Sequence, residues 1–197
     1  YVQFDVWRGG GGDAAPAEDD LATPPALRPA LDRAYAELAL PDRARASQAV
    51  DAIQRFFAQY FRYTLYLGAG AQGTRSLADF LSTSRAGHCE YFASATVMLL
   101  RRAGIPARYA TGYAVEEWSD IDRQYVVRAR HGHAWALAWI DGRWTELDTT
   151  PAEWASIEER ETRSMWLPLF DLASSLRERF DRWRARGGPS RRHGSRA

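Results

Sequence analysis

Apolar residues recur with a helical period in several stretches of the chain. The longest stretch runs from Pro41 to about Tyr60, where the apolar positions share one face and predict a helix that packs on a core. A second helix is predicted after Gly87-His88, and it ends at Gly104 because glycine favours helix termination. Shorter patterns predict helices at residues 29–38 and 77–81. The buried stripe of the second helix is predicted to contain Phe92, Ala95, Leu99 and Ala103.

The pattern then changes to an alternation of apolar and polar residues with a period of two, which is typical of strands. Asp141-Gly142 predicts a two-residue hairpin between the last two strands. Helices followed by an antiparallel sheet indicate an α+β fold, in which the helix after His88 packs on the sheet. The predicted strands are Phe61–Leu67, Ala107–Val115, Tyr125–Arg130, His133–Ile140 and Arg143–Asp148.

Changes in composition along the chain predict four segments. Residues 1–28 combine a short alternating strand with a Gly-, Ala- and Pro-rich stretch that is typical of a flexible linker. Residues 29–151 hold the predicted helices and strands of the main domain. Residues 152–183 have apolar positions at helical spacing and predict a helical extension. The Arg-, Gly- and Ser-rich residues 184–197 predict a disordered tail.

Composition excludes several classes of protein. The formal net charge of +1 gives no reason to expect nucleic acid as a partner. One cysteine excludes an internal disulfide, and no apolar run approaches the ~20 residues that span a bilayer. The chain begins with tyrosine and lacks a signal-peptide pattern, so we expect a fragment or a processed form.

Cys89 lies in the first turn of the predicted helix that follows His88. The N–H groups and the dipole at a helix N-terminus favour a thiolate and lower the pKa of the thiol. The same N–H groups can stabilise an oxyanion. A lone cysteine in this position, followed by histidines and an aspartate, predicts a nucleophile. The alternative interpretation is a small buried side chain in a core helix.

The predicted hairpin also places a histidine beside a carboxylate. If the turn is centred on residues 141–142, Asp148 lies one diagonal step from His133 on the same face of the sheet. Diagonal Cβ separations of ~7–8 Å allow an imidazole–carboxylate hydrogen bond. Cys89, His133 and Asp148 therefore form a candidate triad of nucleophile, base and orienting group. The alternatives are two polar residues on a half-solvated sheet, or a different base, His131, on the same face.

A metal site is the other chemistry that these residue types suggest. The candidate ligands lack zinc spacings such as Cys-x-x-Cys or His-Glu-x-x-His, so we predict neither a metal nor another cofactor. Four tryptophans on the predicted sheet are candidates for the lining of a substrate cleft. The candidate ligands are His88, Cys89, Glu90, His131 and His133, and the tryptophans are Trp118, Trp135, Trp139 and Trp144.

The motifs around these residues resemble the transglutaminase-like superfamily, and most closely its bacterial membrane-anchored branch. The resemblance covers roughly residues 29–151. One departure is Asp148-Thr149-Thr150, where the branch usually has Asp-Pro-Thr. The matching motifs are Gly87–Ala95, Gly104–Arg108, His133-Ala134-Trp135 and Asp148–Pro151.

The resemblance implies a papain-like fold with Cys89, His133 and Asp148 as the catalytic triad. It implies a thioester between Cys89 and a glutamine of a protein or peptide substrate, which an amine or water then resolves. The alternative enzyme is a thiol peptidase or amidase with the same triad, and the non-enzymatic alternative is a scaffold domain of a membrane protein. The implied location is the periplasm, as part of a membrane-embedded bacterial inner-membrane protein.

The basic residues limit the possible acyl acceptors. All 26 are arginine, so copies of this chain cannot be cross-linked from glutamine to lysine. An acceptor amine must therefore come from another protein or from a small molecule, unless water takes its place.

Overall fold

The computed structural model describes residues 14–66, 76–115, 117–120, 123–127 and 131–161. The chain divides into two units, Tyr1–Ala155 and Ser156–Ala197; the described part of the second, residues 156–161, is helical. Two predicted features lie outside the described residues: the short alternating strand at residues 1–7, and the part of the C-terminal extension and tail after residue 161. The predicted segment boundaries remain predictions.

Among the described residues, four α-helices precede the main sheet. They are α1 (Arg28–Glu37), α2 (Ala46–Tyr60), α3 (Leu77–Asp79) and α4 (Cys89–Arg102), and a π-helical turn at Phe80–Ser84 extends α3. Helix α2 begins later than the predicted Pro41. Arg45 is the N-cap instead: its backbone is extended, and its own N–H donates to Oε1 of Gln48 at 2.9 Å.

A cluster of phenylalanine rings joins these helices. Neighbouring ring centroids in the cluster lie 4.8–6.3 Å apart, which is the range of favourable aromatic contact. Burial of one such side chain contributes about 1.5–3 kcal/mol, so the cluster fixes α2 against α4. Its members are Phe56, Phe57, Phe61, Phe80 and Phe92.

Helix α4 ends where the sequence predicts, at a Schellman motif. The N–H of Ile105 donates to the carbonyl of Leu100 at 2.9 Å, and the N–H of Gly104 donates to that of Arg101 at 3.0 Å. Gly104 has φ +78°, a conformation that L side chains rarely adopt, so glycine is required here.

The main sheet is antiparallel and contains β3 (Ala107–Tyr113), β6 (Gly132–Ile140) and β7 (Arg143–Leu147), in the order β3-β6-β7. Ala136 is opposite Leu147, which is the register predicted from the turn at residues 141–142. Two short pairs accompany this sheet. Parallel β1 (Arg62–Tyr63) and β2 (Ala86–Gly87) precede α4, and the hairpin of β4 (Glu117–Ser119) and β5 (Gln124–Val126) follows β3.

The two faces of β6 carry side chains of different size. Ala134, Ala136 and Ala138 are at most 2% exposed and lie on the face covered by α4. His133 and Trp135 alternate with them and lie on the opposite face. Short side chains on the covered face let α4 approach the sheet closely, which brings its N-terminus to the end of β6.

Residues 14–28 differ from the flexible linker predicted for residues 1–28. Two 3₁₀ turns form at Glu18–Leu21 and Pro25–Leu27. The carboxylate of Asp20 accepts two hydrogen bonds of 2.9 Å from Arg108 on β3, and its side chain is only 10% exposed. The indole N–H of Trp144 donates to the carbonyl of Ala14 at 3.0 Å. The composition resembles a linker, but these long-range contacts hold the segment against the sheet.

Substitution of Asp20 by alanine is expected to lower the free energy of unfolding by about 1–3 kcal/mol, because it leaves the partly buried Arg108 guanidinium without its carboxylate. Asp19→Ala is the matched control, since Asp19 is an exposed acidic neighbour. Urea denaturation of both variants measures the difference. Equal losses of stability would show that the Asp20–Arg108 pair does not anchor the segment.

Candidate active site

The fold brings the three predicted site residues together at one end of the sheet. Cys89 is the first residue of α4, His133 is the second residue of β6, and Asp148 directly follows β7. Nε2 of His133 lies 2.7 Å from Oδ2 of Asp148. The side chain of His133 is 8% exposed and that of Asp148 is 43% exposed, so the carboxylate links a buried imidazole to solvent.

The imidazole of His133 is held in its charged form. Burial lowers its pKa, but the hydrogen bond with Asp148 and the neighbouring thiol of Cys89 outweigh burial and raise the pKa to about 9. Burial raises the pKa of Asp148, but hydrogen bonds from His133 and from the backbone N–H of Thr150 lower it overall. The pair is therefore ionised near neutral pH.

The thiol of Cys89 responds to this charge. Burial raises its pKa, but the nearby imidazoles of His133 and His88, together with the backbone N–H of Ala134, lower the pKa from 9.0 to about 7. A thiolate and an imidazolium thus coexist between about pH 7 and pH 9. This is the state in which a cysteine acts as a nucleophile and a histidine as a proton donor.

Only one nitrogen of His133 remains to interact with the thiol. Asp148 occupies Nε2, so Nδ1 is the atom that interacts with Cys89. Within the described residues, the buried Nδ1 has no closely aligned hydrogen-bond partner. The thiol is thus near the ring without optimal alignment, as is common in enzymes without bound substrate.

Two indoles fix the plane of the imidazole. The ring of Trp154 stacks on that of His133 with centroids 4.4 Å apart and planes 12° apart, and Trp135 lies nearly parallel at 6.2 Å. Gly112 makes room for the second indole, because a Cβ at this position would come within 2.7 Å of the Trp135 ring. Sequence analysis placed Trp154 in the C-terminal extension and missed this contact, for which the sequence carries no local signal.

The segment that carries Asp148 is tied to the helix that carries Cys89. The hydroxyls of Thr96 and Thr149 lie 2.7 Å apart, and Thr96 is fully buried. Thr149 occupies the position at which the resemblance leads us to expect proline. A proline stiffens the segment through its own ring, whereas this chain holds the segment with a hydrogen bond to α4.

A cleft of about 470 Å³ opens beside the thiol. Its walls include exposed tyrosines and the carboxylate of Glu90, while the four tryptophans proposed for the lining are not among its lining residues. Trp139 and Trp144 pack on each other instead, with centroids 5.3 Å apart. The lining residues are Cys89, Glu90, Tyr109, Thr111, Gly112, Tyr113, Gly132, His133 and Ala134.

The other candidates have different surroundings. Nε2 of His131 lies 3.6 Å from a carboxylate oxygen of Glu117, so this imidazole is directed to the β4–β5 hairpin. His88 contacts the ring of Tyr91 edge-on with centroids 5.0 Å apart, besides its effect on the thiol. No group of three or more His, Cys, Asp or Glu residues is arranged to hold a metal ion within the described ranges.

A thiol at the N-terminus of a helix that packs on an antiparallel sheet defines the papain-like class of α+β thiol proteins. The chain belongs to the transglutaminase-like superfamily, whose sequence model matches residues 33–149. The predictions of family and fold class are confirmed.

Similar proteins come from several bacteria. A protein-glutamine gamma-glutamyltransferase of Pseudomonas aeruginosa is 36% identical over 99 residues, which are 50% of this chain and 14% of that protein. The Bacillus subtilis protein YebA is 33% identical over 96 residues, 44% of this chain and 13% of its own length. This chain therefore corresponds to a small part of these curated relatives.

A solved structure extends the comparison to the fold. The crystal structure of the periplasmic domain of TgpA from Pseudomonas aeruginosa superposes with a TM-score of 0.55 and 29% identity. The match covers 72% of this chain and 48% of that domain. No helix in the described part of this chain is long and apolar enough to cross a bilayer.

Alkylation of Cys89 by iodoacetamide is expected to rise as the pH passes through about 7, where the thiol ionises. In His133→Ala the rise is expected at a higher pH, because the largest of the interactions that oppose burial of the thiolate is lost. At pH 7 this variant should react roughly five- to tenfold more slowly, because less of its thiol is ionised. The loss of rate is smaller than the loss of thiolate, since a more basic thiolate is more nucleophilic.

Mass spectrometry of the alkylated protein across pH 5–10 provides the measurement. Asp148→Asn is expected to give an intermediate curve, since the imidazole remains but its charge is less stabilised. Identical profiles for the three proteins would mean that the imidazole does not control the thiol.

Thr96→Val and Thr149→Val are each expected to cost about 1 kcal/mol of unfolding free energy, because each leaves a hydroxyl without its partner. The double variant should cost less than the sum of the two, with a coupling energy of about 0.5–1.5 kcal/mol. Urea denaturation of the four proteins measures the cycle. Simple additivity would refute a stabilising bond between the two hydroxyls.

Proposed function

We propose that this chain is the catalytic domain of a transglutaminase-like acyltransferase in which Cys89, His133 and Asp148 act as nucleophile, acid–base and orienting group. The observation that carries the proposal is geometric: a thiol at the N-terminus of α4 lies in one cleft with an imidazole whose Nε2 is 2.7 Å from Oδ2 of Asp148. This arrangement lowers the pKa of the thiol to about 7 and raises that of the imidazole to about 9. An isolated buried cysteine would have the opposite shift, with a pKa raised above its ordinary value.

The proposed reaction has two steps through a thioester. The thiolate of Cys89 attacks the side-chain carboxamide of a glutamine, and the imidazolium of His133 donates its proton to the leaving ammonia. We assign the backbone N–H of Cys89, at the helix N-terminus, as a donor to the oxyanion. A primary amine then attacks the thioester, His133 accepts a proton from it, and Sγ leaves as the thiolate while an amide bond forms.

The wall of the cleft favours a cationic acceptor. Glu90 is exposed and lines the cleft next to Cys89. Burial raises the pKa of Tyr109, and the negative charges of Glu90 and Cys89 raise it further, so the field in this part of the cleft is negative. An ammonium group is attracted by such a field before it loses a proton and attacks.

A thiol peptidase or amidase remains the second candidate, because water can resolve the same acyl-enzyme. We place the whole protein in the periplasm, as part of an inner-membrane protein that acts on protein or peptide substrates. The likeness to a periplasmic domain of Pseudomonas aeruginosa supports this location. The likeness to a gamma-glutamyltransferase supports glutamine as the acyl donor.

The function is tested by incubating the chain with a glutamine-containing protein and a fluorescent primary amine. We expect incorporation of the amine, its complete loss in Cys89→Ala, and a loss of about 10²–10⁴-fold in His133→Ala, as for removal of a general acid–base group. The dependence of kcat/KM on pH should be bell-shaped, rising through about pH 7 and falling through about pH 9.

His131→Ala is the matched control, since this histidine lies two residues from His133 and pairs with Glu117 instead. Its activity should remain close to that of the unmodified chain, and a loss equal to that of His133→Ala would make His131 the base. Release of ammonia or of cleaved peptide without amine incorporation would show that the chain is a hydrolase and not a transferase. No turnover of any kind would favour the scaffold interpretation.

A further inference from the structure

Strand β3 lies at the edge of the main sheet, and its hydrogen-bonding pattern shows which groups point outward. Ala114 donates to the carbonyl of His131, and Trp139 donates to that of Pro106, each at 2.8 Å. In this antiparallel register the even-numbered residues of β3 therefore exchange hydrogen bonds with β6. The backbone groups of Tyr109, Thr111 and Tyr113 point away from the sheet.

This outward edge is closed at one end and open at the other. The carbonyl of Ala107 accepts hydrogen bonds from Nε and Nη2 of Arg101 at 3.0 and 2.8 Å. No described residue bonds to the outward N–H and carbonyl groups of the next three odd positions. All three residues are exposed, with Tyr109 at 42% and Tyr113 at 53%. Natural proteins usually protect such an edge because it can pair with another chain.

The open edge is continuous with the candidate active site. The same three residues, Tyr109, Thr111 and Tyr113, line the cleft that contains Cys89. Their side chains share the face of the sheet on which Ala134 lies, because Thr111 is paired with Ala134 across β3 and β6. Between the two tyrosines the cleft is deeper, because the small side chains of Thr111 and Ala134 form its floor.

We propose that the edge of β3 at residues 109–113 binds the acyl-donor substrate as an added β-strand. This proposal rests on the proposed function and names how its substrate is recognised. The partner is an extended peptide segment whose backbone pairs with Tyr109, Thr111 and Tyr113. A glutamine of that segment projects over Thr111 and Ala134 towards Cys89, with one tyrosine on either side.

Recognition of this kind depends on the backbone of the substrate more than on its side chains. Main-chain hydrogen bonds supply affinity, and pockets for alternate side chains supply selectivity. A glutamine in an extended or disordered segment is therefore a substrate, while a glutamine within a helix is not. The segment loses no internal hydrogen bonds when it adds to the edge.

Hydrogen exchange tests the docking without reference to turnover. The Cys89→Ala chain is mixed with a ten-residue peptide that has a central glutamine, and amide exchange is followed by NMR. Exchange at Tyr109, Thr111 and Tyr113 should slow by about tenfold or more, since these amides gain partners. Exchange at Ala110 and Gly112 should hardly change, because these amides already bond to β6. No protection at the odd positions would overturn the proposal.

Modified peptides test the same geometry in the active chain. Methylation of one peptide nitrogen at a time should lower kcat/KM at alternate positions only, by about tenfold where the N–H faces β3. Thr111→Pro removes one edge donor where proline is tolerated, and it should weaken peptide use while Cys89 alkylation stays unchanged. Thr111→Val keeps the N–H, so it should bind peptide more tightly than Thr111→Pro. Effects without alternation would contradict strand addition.

Three further outcomes have separate meanings. Protection of the edge without peptide, rising with protein concentration, would show that a second copy of this chain pairs there, and it would overturn the proposal. Protection by the peptide without amine incorporation in the active chain would retain the docking site and remove the transferase function. Amine incorporation without protection of the β3 edge would retain the transferase function and overturn the proposed docking site.

Discussion

The close approach of α4 to β6 is the constraint on which the site depends. Side chains on the covered face of β6 are alanines, and Ala93, which lies one turn after Cys89 on the same side of α4, is 2% exposed. Larger side chains on either element would move the helix outward and carry Cys89 away from β6. The N–H of Ala134 reaches the thiol because this layer is thin. Packing of small residues thus sets the distance that the chemistry requires.

The charges of the site are arranged from solvent inward. Asp148 is nearly half exposed, His133 is mostly buried and Cys89 is buried, so each group stabilises the next in a less hydrated place. Hydrogen bonds from His133 and Thr150 keep the carboxylate ionised despite its partial burial, and the bond to Nε2 stabilises the charged imidazole. The imidazolium in turn offsets the unfavourable burial of a thiolate.

Neutral contacts hold these charged groups in place. The stack of Trp154 on His133 restricts rotation of the imidazole without competing for either ring nitrogen. The bond between Thr96 and Thr149 connects the strand end that carries Asp148 to the middle of α4. Both restraints cross between segments that are distant in sequence, so orientation of the site is a property of the folded domain. The cleft beside it is shaped by β3, whose edge remains unpaired in the described structure.

The sequence by itself determined the helices, the hairpin register and the pairing of His133 with Asp148. These features are local: helical spacing, a helix-ending glycine and a two-residue turn fix backbone geometry over a few residues. Only the tertiary structure decided that residues 14–22 pack on the sheet, that tyrosines rather than tryptophans line the cleft, and that Trp154 covers His133. Each of these depends on side chains that meet across long separations in sequence, where packing and buried charge outweigh local composition.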